Sequence, residues 1–204
     1  RLNTDNHPYP VFLFTMSYLG QFGSNHLVWM LVCLAVVMLP LFLLGKPLRG
    51  MFLAGFSGAS AEMIIILMFQ VFFGFLYAGI GLIVALFMAG LALGAYILPK
   101  TMKFTAKGLV AAMALYFLLV PLVWMLRDAI SMWPLMLVVA LLTLIPSTIV
   151  GYQYVLWTRA IPGGVNPAAR SYSADLWGSA LGVIAVTLVM IPLLGIVQTA
   201  IVMA

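Results

Sequence analysis

The sequence predicts an all-α, polytopic integral membrane bundle, and three observations lead there. Of 204 residues, 66% are hydrophobic and only 6% are charged, whereas a soluble domain keeps roughly a quarter of its residues charged. Apolar runs long enough to cross about 30 Å of hydrocarbon recur along the whole chain. Those runs do not alternate apolar with polar residues, which argues against an outer-membrane barrel.

In order along the chain, residues 9–23 are apolar and aromatic but too short to span, and read as an interfacial lead-in. A polar linker and interfacial segment, 1–26, thus precedes a transmembrane domain, 27–204. The first span is 27–45, with Pro40 a kink, and "KPLRG" (46–50) closes it. The second covers 51–73 and the third 80–98, followed by a basic loop, "PKTMKFTAK" (99–107). The fourth covers 108–126 and ends at Arg127 and Asp128. The fifth, 133–156, closes on the aromatic belt "YQYVLW". The longest and most polar interior loop, 158–175, leads to a sixth span, 176–194. "GIVQTAIVMA" starts a seventh that is unfinished. Six complete spans plus a stub is the expected count.

Charge supplies an orientation. Lys46, Arg49, Lys100, Lys103, Lys107, Arg159 and Arg170 fall on one side, Arg1 and Arg127 on the other. The positive-inside tendency makes the first side cytoplasmic and the N-terminus extracytoplasmic. A net charge of +5 would raise the question of nucleic acid in a soluble domain. Here the cations sit in short loops, so the bilayer and its anionic headgroups are the partners expected, with no nucleic acid. The opening "RLNTDNHPYP" lacks a signal-peptide cleavage site. An initial Arg in place of Met points to a fragment of a longer protein or to a processed product.

The polar residues inside apolar runs are the candidate site. Glu62 lies in "GFSGASAEMIIILMFQVFFG" (55–74), with Gln70 two turns on and about 80° around the helix. A charged acid near a span centre costs roughly 2.5–3.5 kcal/mol to insert, so it needs a partner or a proton. Gly55, Gly58 and Ala59 precede it, and Ser57 and Ser60 offer hydroxyls. A face of small and polar residues allows close helix approach and interhelical hydrogen bonding. Two readings stand side by side: Glu62 and Gln70 hold helices together, or Glu62 lines a substrate or proton site. Gly90 and Gly94, a GxxxG spacing, and later Gly178 and Gly182 read as packing positions. Asp175 reads as a cap or dipole partner at a helix N-terminus, with Arg170 in pairing reach; a headgroup or substrate contact is the alternative.

Catalytic machinery is not evident. His7 and His26 both lie outside the spans, and Cys33 is the single cysteine, best read as a small core hydrophobe. No HExxH, CxxC, GxGxxG or P-loop occurs, so neither a metal site nor a cofactor is expected, and no catalytic residue is assigned.

Two stretches carry a family resemblance. "GFSGASAEMIIILMFQVFFGFLYAGIGLIVALFMAGLALGAYI" (55–97) and "YSADLWGSALGVIAVTLVMIPLLGI" (172–196) resemble the membrane portion of bacterial spermidine synthase-like proteins, the major-facilitator/spermidine synthase fusions. "LNTDNHPYP" (2–10) is similar to the end of the aminopropyltransferase-like domain in fused members. The resemblance covers about a third of the chain. It implies a bacterial inner-membrane domain of a polyamine-related protein, acting with an upstream soluble domain or partner chains. It also implies that Glu62, Gln70 and Asp175 occupy the family's patterned polar positions, and that any aminopropyltransferase activity lies outside these residues. The function expected is binding or translocation of a small polar or cationic compound, or of a proton. The alternative is a structural, anchoring membrane subunit.

Overall fold

The structure is a computed structural model that describes residues 39, 42–74, 77–162 and 166–204. Every regular element in them is helical, and five helices are long and apolar enough to cross a membrane: Lys46–Phe73, Gly79–Thr101, Ala106–Ala129, Met132–Ala160 and Pro167–Leu194. Residues 1–38, which include the expected lead-in segment, the linker boundary at 26 and most of the first expected span, lie outside the described residues, as do His7, His26 and Cys33. The other five expected spans each correspond to one of these helices.

Helix α1 is Lys46–Phe73, 28 residues, with Pro47 in its first turn. At 1.5 Å per residue it is about 42 Å long, more than the hydrocarbon thickness. Its end is fixed by Gly74, whose φ of 67° lets its N–H turn back to the Gln70 carbonyl at 3.0 Å. The expectation that 46–50 forms a closing loop is therefore corrected. Pro47 has no N–H to leave unsatisfied in a first turn, so the basic stretch starts the helix.

Helix α2, Tyr77–Tyr96, continues into the single turn α3, Leu98–Thr101, so the expected 99–107 loop shrinks to 102–105. Helix α4, Ala106–Leu126, is capped by Thr105, whose Oγ1 accepts from the Gly108 N–H at 3.2 Å. A 3₁₀ turn, Arg127–Ala129, precedes α5, Met132–Ala160. Helix α6 is Pro167–Ile184, started by Asn166, whose side chain accepts from the Ala169 N–H at 3.3 Å. The expected 158–175 loop is thus mostly helix, with 158–160 ending α5 and 167–175 belonging to α6, because an Asn-Pro pair makes an efficient helix start inside a polar sequence. Helix α6 passes through a π-helical segment, Ala185–Met190, into α7, Ile191–Leu194. Gly195, with φ 84°, reverses the chain, and α8, Ile196–Met203, packs back against α4.

Helix α1 is central. Two thirds of its apolar window (67%) is buried, against 22% for the α2 span, so α2 lies at the edge. The shared core gathers Ala61, Ile64, Ile65 and Met68 of α1 with Tyr116, Phe117, Val120, Val139 and Val186. Close approaches fix the directions. Gly178 lies against the Phe52 carbonyl and Gly182 against the Phe56 carbonyl, so α1 and α6 run parallel. Gly90 meets Ser147, Gly94 meets Thr148, and Gly151 meets Leu91, so α2 and α5 are also parallel. Gly50 meets Trp157 and Gly58 meets Val150, making α1 and α5 antiparallel.

Candidate functional site

The seam between α1 and α6 is built from glycine. On α6, Gly178 and Gly182 are buried and one turn apart, and a side chain at either would strike the α1 backbone. On α1, Gly55 faces Asp175: a Cβ there would stand 2.6 Å from Asp175 Oδ1 and 3.0 Å from Ser179 Oγ. Missing side chains are what let the two backbones approach and bring a carboxylate between them.

Asp175 sits in the third turn of α6, not at its start. Asn166 makes the cap, so the reading of Asp175 as an N-terminal cap is corrected. The expected Arg170 pairing is not formed either. Arg170 is exposed, and no ion pair joins the two among the described residues. Asp175 Oδ1 is instead buried with no hydrogen-bond partner among those residues. Ser171, one turn earlier on the same face, is fully buried with its Oγ also unpartnered. Thr158 Oγ1 and Gln153 Oε1 on α5 are likewise buried without a partner among those residues. Each unpaired buried group costs about 1–3 kcal/mol, and in native structures such groups ordinarily find a partner.

Glu62 is elsewhere. It is half-buried and makes no hydrogen bond or ion pair among the described residues. From Ala61 onward α1 is buried along Ala61, Ile64, Ile65 and Met68, while Glu62, Met63, Ile66 and Gln70 lie on its partly covered side. At about 100° per residue these four occupy one arc of the helix. Glu62 and Gln70 thus share a face that the described helices cover incompletely. Ser57 and Ser60 point away from it, about 140° and 160° around. Ser60 Oγ donates to the Phe56 carbonyl at 2.6 Å beside Gly182, and Ser57 Oγ donates to the Ala54 carbonyl at 3.2 Å. The structure therefore does not gather the sequence's candidates into one cluster. It places the Asp175–Ser179–Gly55 seam and the Glu62–Gln70 stretch on one side of α1, since Gly55 and Glu62 are seven residues and only about 20° apart, but about 10 Å apart along the helix.

A cavity of about 490 Å³ opens between α1, α4, α5 and α8, lined by Ala54, Ser57, Met113, Phe117, Gln153 and Trp157 among others. Its wall is mainly apolar and includes none of Glu62, Gln70 and Asp175. Gln153 is 5% exposed, and sequence reasoning absorbed it into an aromatic belt. The signal was the one used for Glu62: an amide inside an apolar helical run. Tyr116, buried in the core with its hydroxyl unpartnered, was missed for lack of any local pattern.

The ends of the bundle differ in charge. Lys46, Arg49, Lys100, Lys103, Lys107, Arg159 and Arg170 are all exposed at the end where α1, α4 and α6 begin. At the opposite end Arg127 and Asp128 pair at 3.4 Å. No family model, no curated protein and no solved structure matches this chain.

Proposed function

We propose that this chain is the membrane-embedded domain of a bacterial spermidine synthase-like protein, and that its α1–α6 seam binds a small cationic or polar compound, or passes a proton, at Asp175. The observation that carries the reading is the buried, unpartnered Asp175 Oδ1 over Gly55. The Asp175 carboxylate, when ionised, only accepts hydrogen bonds, and the Ser171 hydroxyl one turn earlier on the same face can accept them. An ammonium group, which only donates, is the complementary chemistry. Acids within apolar helices face bundle interiors or polar paths and mark such sites. Glu62 and Gln70, further along α1, would supply a second polar station. The basic end is cytoplasmic in this reading, and an additional span at 27–45 puts the N-terminus outside.

The structural alternative has its own support. Gly55, Gly178 and Gly182 bring the helices so close that Asp175 and Ser179 also serve as packing groups. One experiment separates the two. The parent protein is reconstituted in nanodiscs for labelled spermidine binding and thermal unfolding, and in sealed liposomes for proton flux, as wild type, Asp175→Asn and Glu62→Gln. Site function predicts at least a tenfold loss of spermidine binding in Asp175→Asn, or loss of pH-dye-detected proton flux, with the unfolding midpoint nearly unchanged. Unchanged binding and flux together with a lower midpoint would make the seam purely structural.

A further inference from the structure

We infer that the basic end of the bundle is a docking surface for the phosphate-bearing headgroups of anionic lipids, gripped chiefly by the connection from α3 to α4. This does not depend on the Asp175 reading. Seven exposed cations converge there from α1, α3, the 102–105 connection, α4, α5 and α6. None takes part in an ion pair among the described residues. No exposed acid is described at that end, since Asp175 is half-buried in the seam. Among the described residues, Arg127 and Asp128 balance one another at the opposite end. Clustered like charges repel one another, and an anion shared between them relieves that repulsion.

The connection carrying Lys103 is held in place. The Tyr152 hydroxyl accepts from the Phe104 N–H at 2.9 Å and donates to the Met102 carbonyl at 3.3 Å. The Tyr152 and Phe104 rings meet edge to face at 5.5 Å. The Lys100 ammonium rests 3.5 Å over the Tyr96 ring. Lys100, Lys103 and Lys107 are therefore presented from an ordered backbone, so a ligand does not have to order the loop on binding.

The neighbours of Lys103 select a lipid over a soluble anion. Met102 is 56% exposed and Phe104 41%, so a cation stands between two exposed apolar side chains. That alternation matches a headgroup joined to acyl chains, and Tyr96, Tyr154, Trp157 and Tyr172 lie at the same level of the bundle, as interfacial aromatics do.

The test uses the full chain in nanodiscs of phosphatidylcholine alone or with a minority of phosphatidylglycerol. Unfolding is followed by tryptophan fluorescence and bound lipid by native mass spectrometry. Phosphatidylglycerol is expected to raise the unfolding midpoint and to stay bound, and both effects should shrink at molar salt. Replacing Lys100, Lys103 and Lys107 together by Gln should cut phosphatidylglycerol retention by about an order of magnitude or more. Tyr152→Phe, with every charge kept, should weaken retention partway. Soluble glycerol phosphate should not reproduce the stabilisation. Equal midpoints in the two lipids, unchanged retention in the triple variant, or equal protection by glycerol phosphate would each overturn the inference. Full retention in Tyr152→Phe would remove the loop's role as the grip.

Discussion

At the residue scale, two glycines of one helical bundle meet opposite surroundings. A Cβ at Gly178 would collide with the Phe52 carbonyl, which cannot yield without moving α1. A Cβ at Gly81 has nothing within 4 Å. Gly178→Ala should therefore destabilise by about 1–3 kcal/mol through overpacking. Gly81→Ala should stabilise by up to about 1 kcal/mol through helix propensity. Reversible unfolding in mixed micelles measures both, and equal effects would mean that α1 and α6 do not touch there. Gly178 and Gly182 were legible in the sequence because their spacing is a packing pattern. Their partner was not legible, since nothing local says that they face Phe52 and Phe56, about 126 residues earlier. The same holds for Asp175. Its polarity was visible, but its burial depends on Gly55, contributed by another helix.

At the element scale, the apolar stretches identified five helices correctly and misjudged their ends. Polarity read as loop at 46–50 and 158–175, yet Pro47, and the Asn166–Pro167 pair, begin helices there. Helices longer than the hydrocarbon thickness carry polar ends into the headgroups, so hydropathy marks the membrane and not the helix. The 102–105 connection gives a direct check. Tyr152→Phe removes the acceptor for the Phe104 N–H and the donor to Met102, each bond worth about 0.5–1.5 kcal/mol. Amide exchange at Phe104 and tryptic cleavage after Lys103 should both accelerate. Unchanged exchange would show that the loop is held by other contacts. The π-helical Ala185–Met190, with its i→i+5 bonding, had no sequence signature, and its Val186 is fully buried in the shared core.

At the scale of the whole molecule, the seven-against-one charge division among the described residues predicts an orientation. With Cys33 replaced by Ala, a cysteine at Lys103 should react with an impermeant maleimide only after cells are permeabilised. A cysteine at Asp128 should react in intact cells. The reverse pattern would invert the topology. Five apolar helices could be read almost entirely from composition. The small and polar residues of α1 hinted at its packing, but which helices surround it could not be read, because its partners on α5 and α6 are distant in sequence.

The parallel pairing of α1 with α6 has a consequence for biogenesis. Two helices that point the same way cannot be adjacent hairpin partners, so the glycine face of α1 has no mate until more than ninety further residues have been synthesised. During that interval Gly55 must be screened by the insertion machinery or by lipid, and Glu62 faces the same delay. A nascent chain arrested after Ala160 should therefore be captured by membrane quality-control proteases, whereas one arrested after Leu194 should escape them.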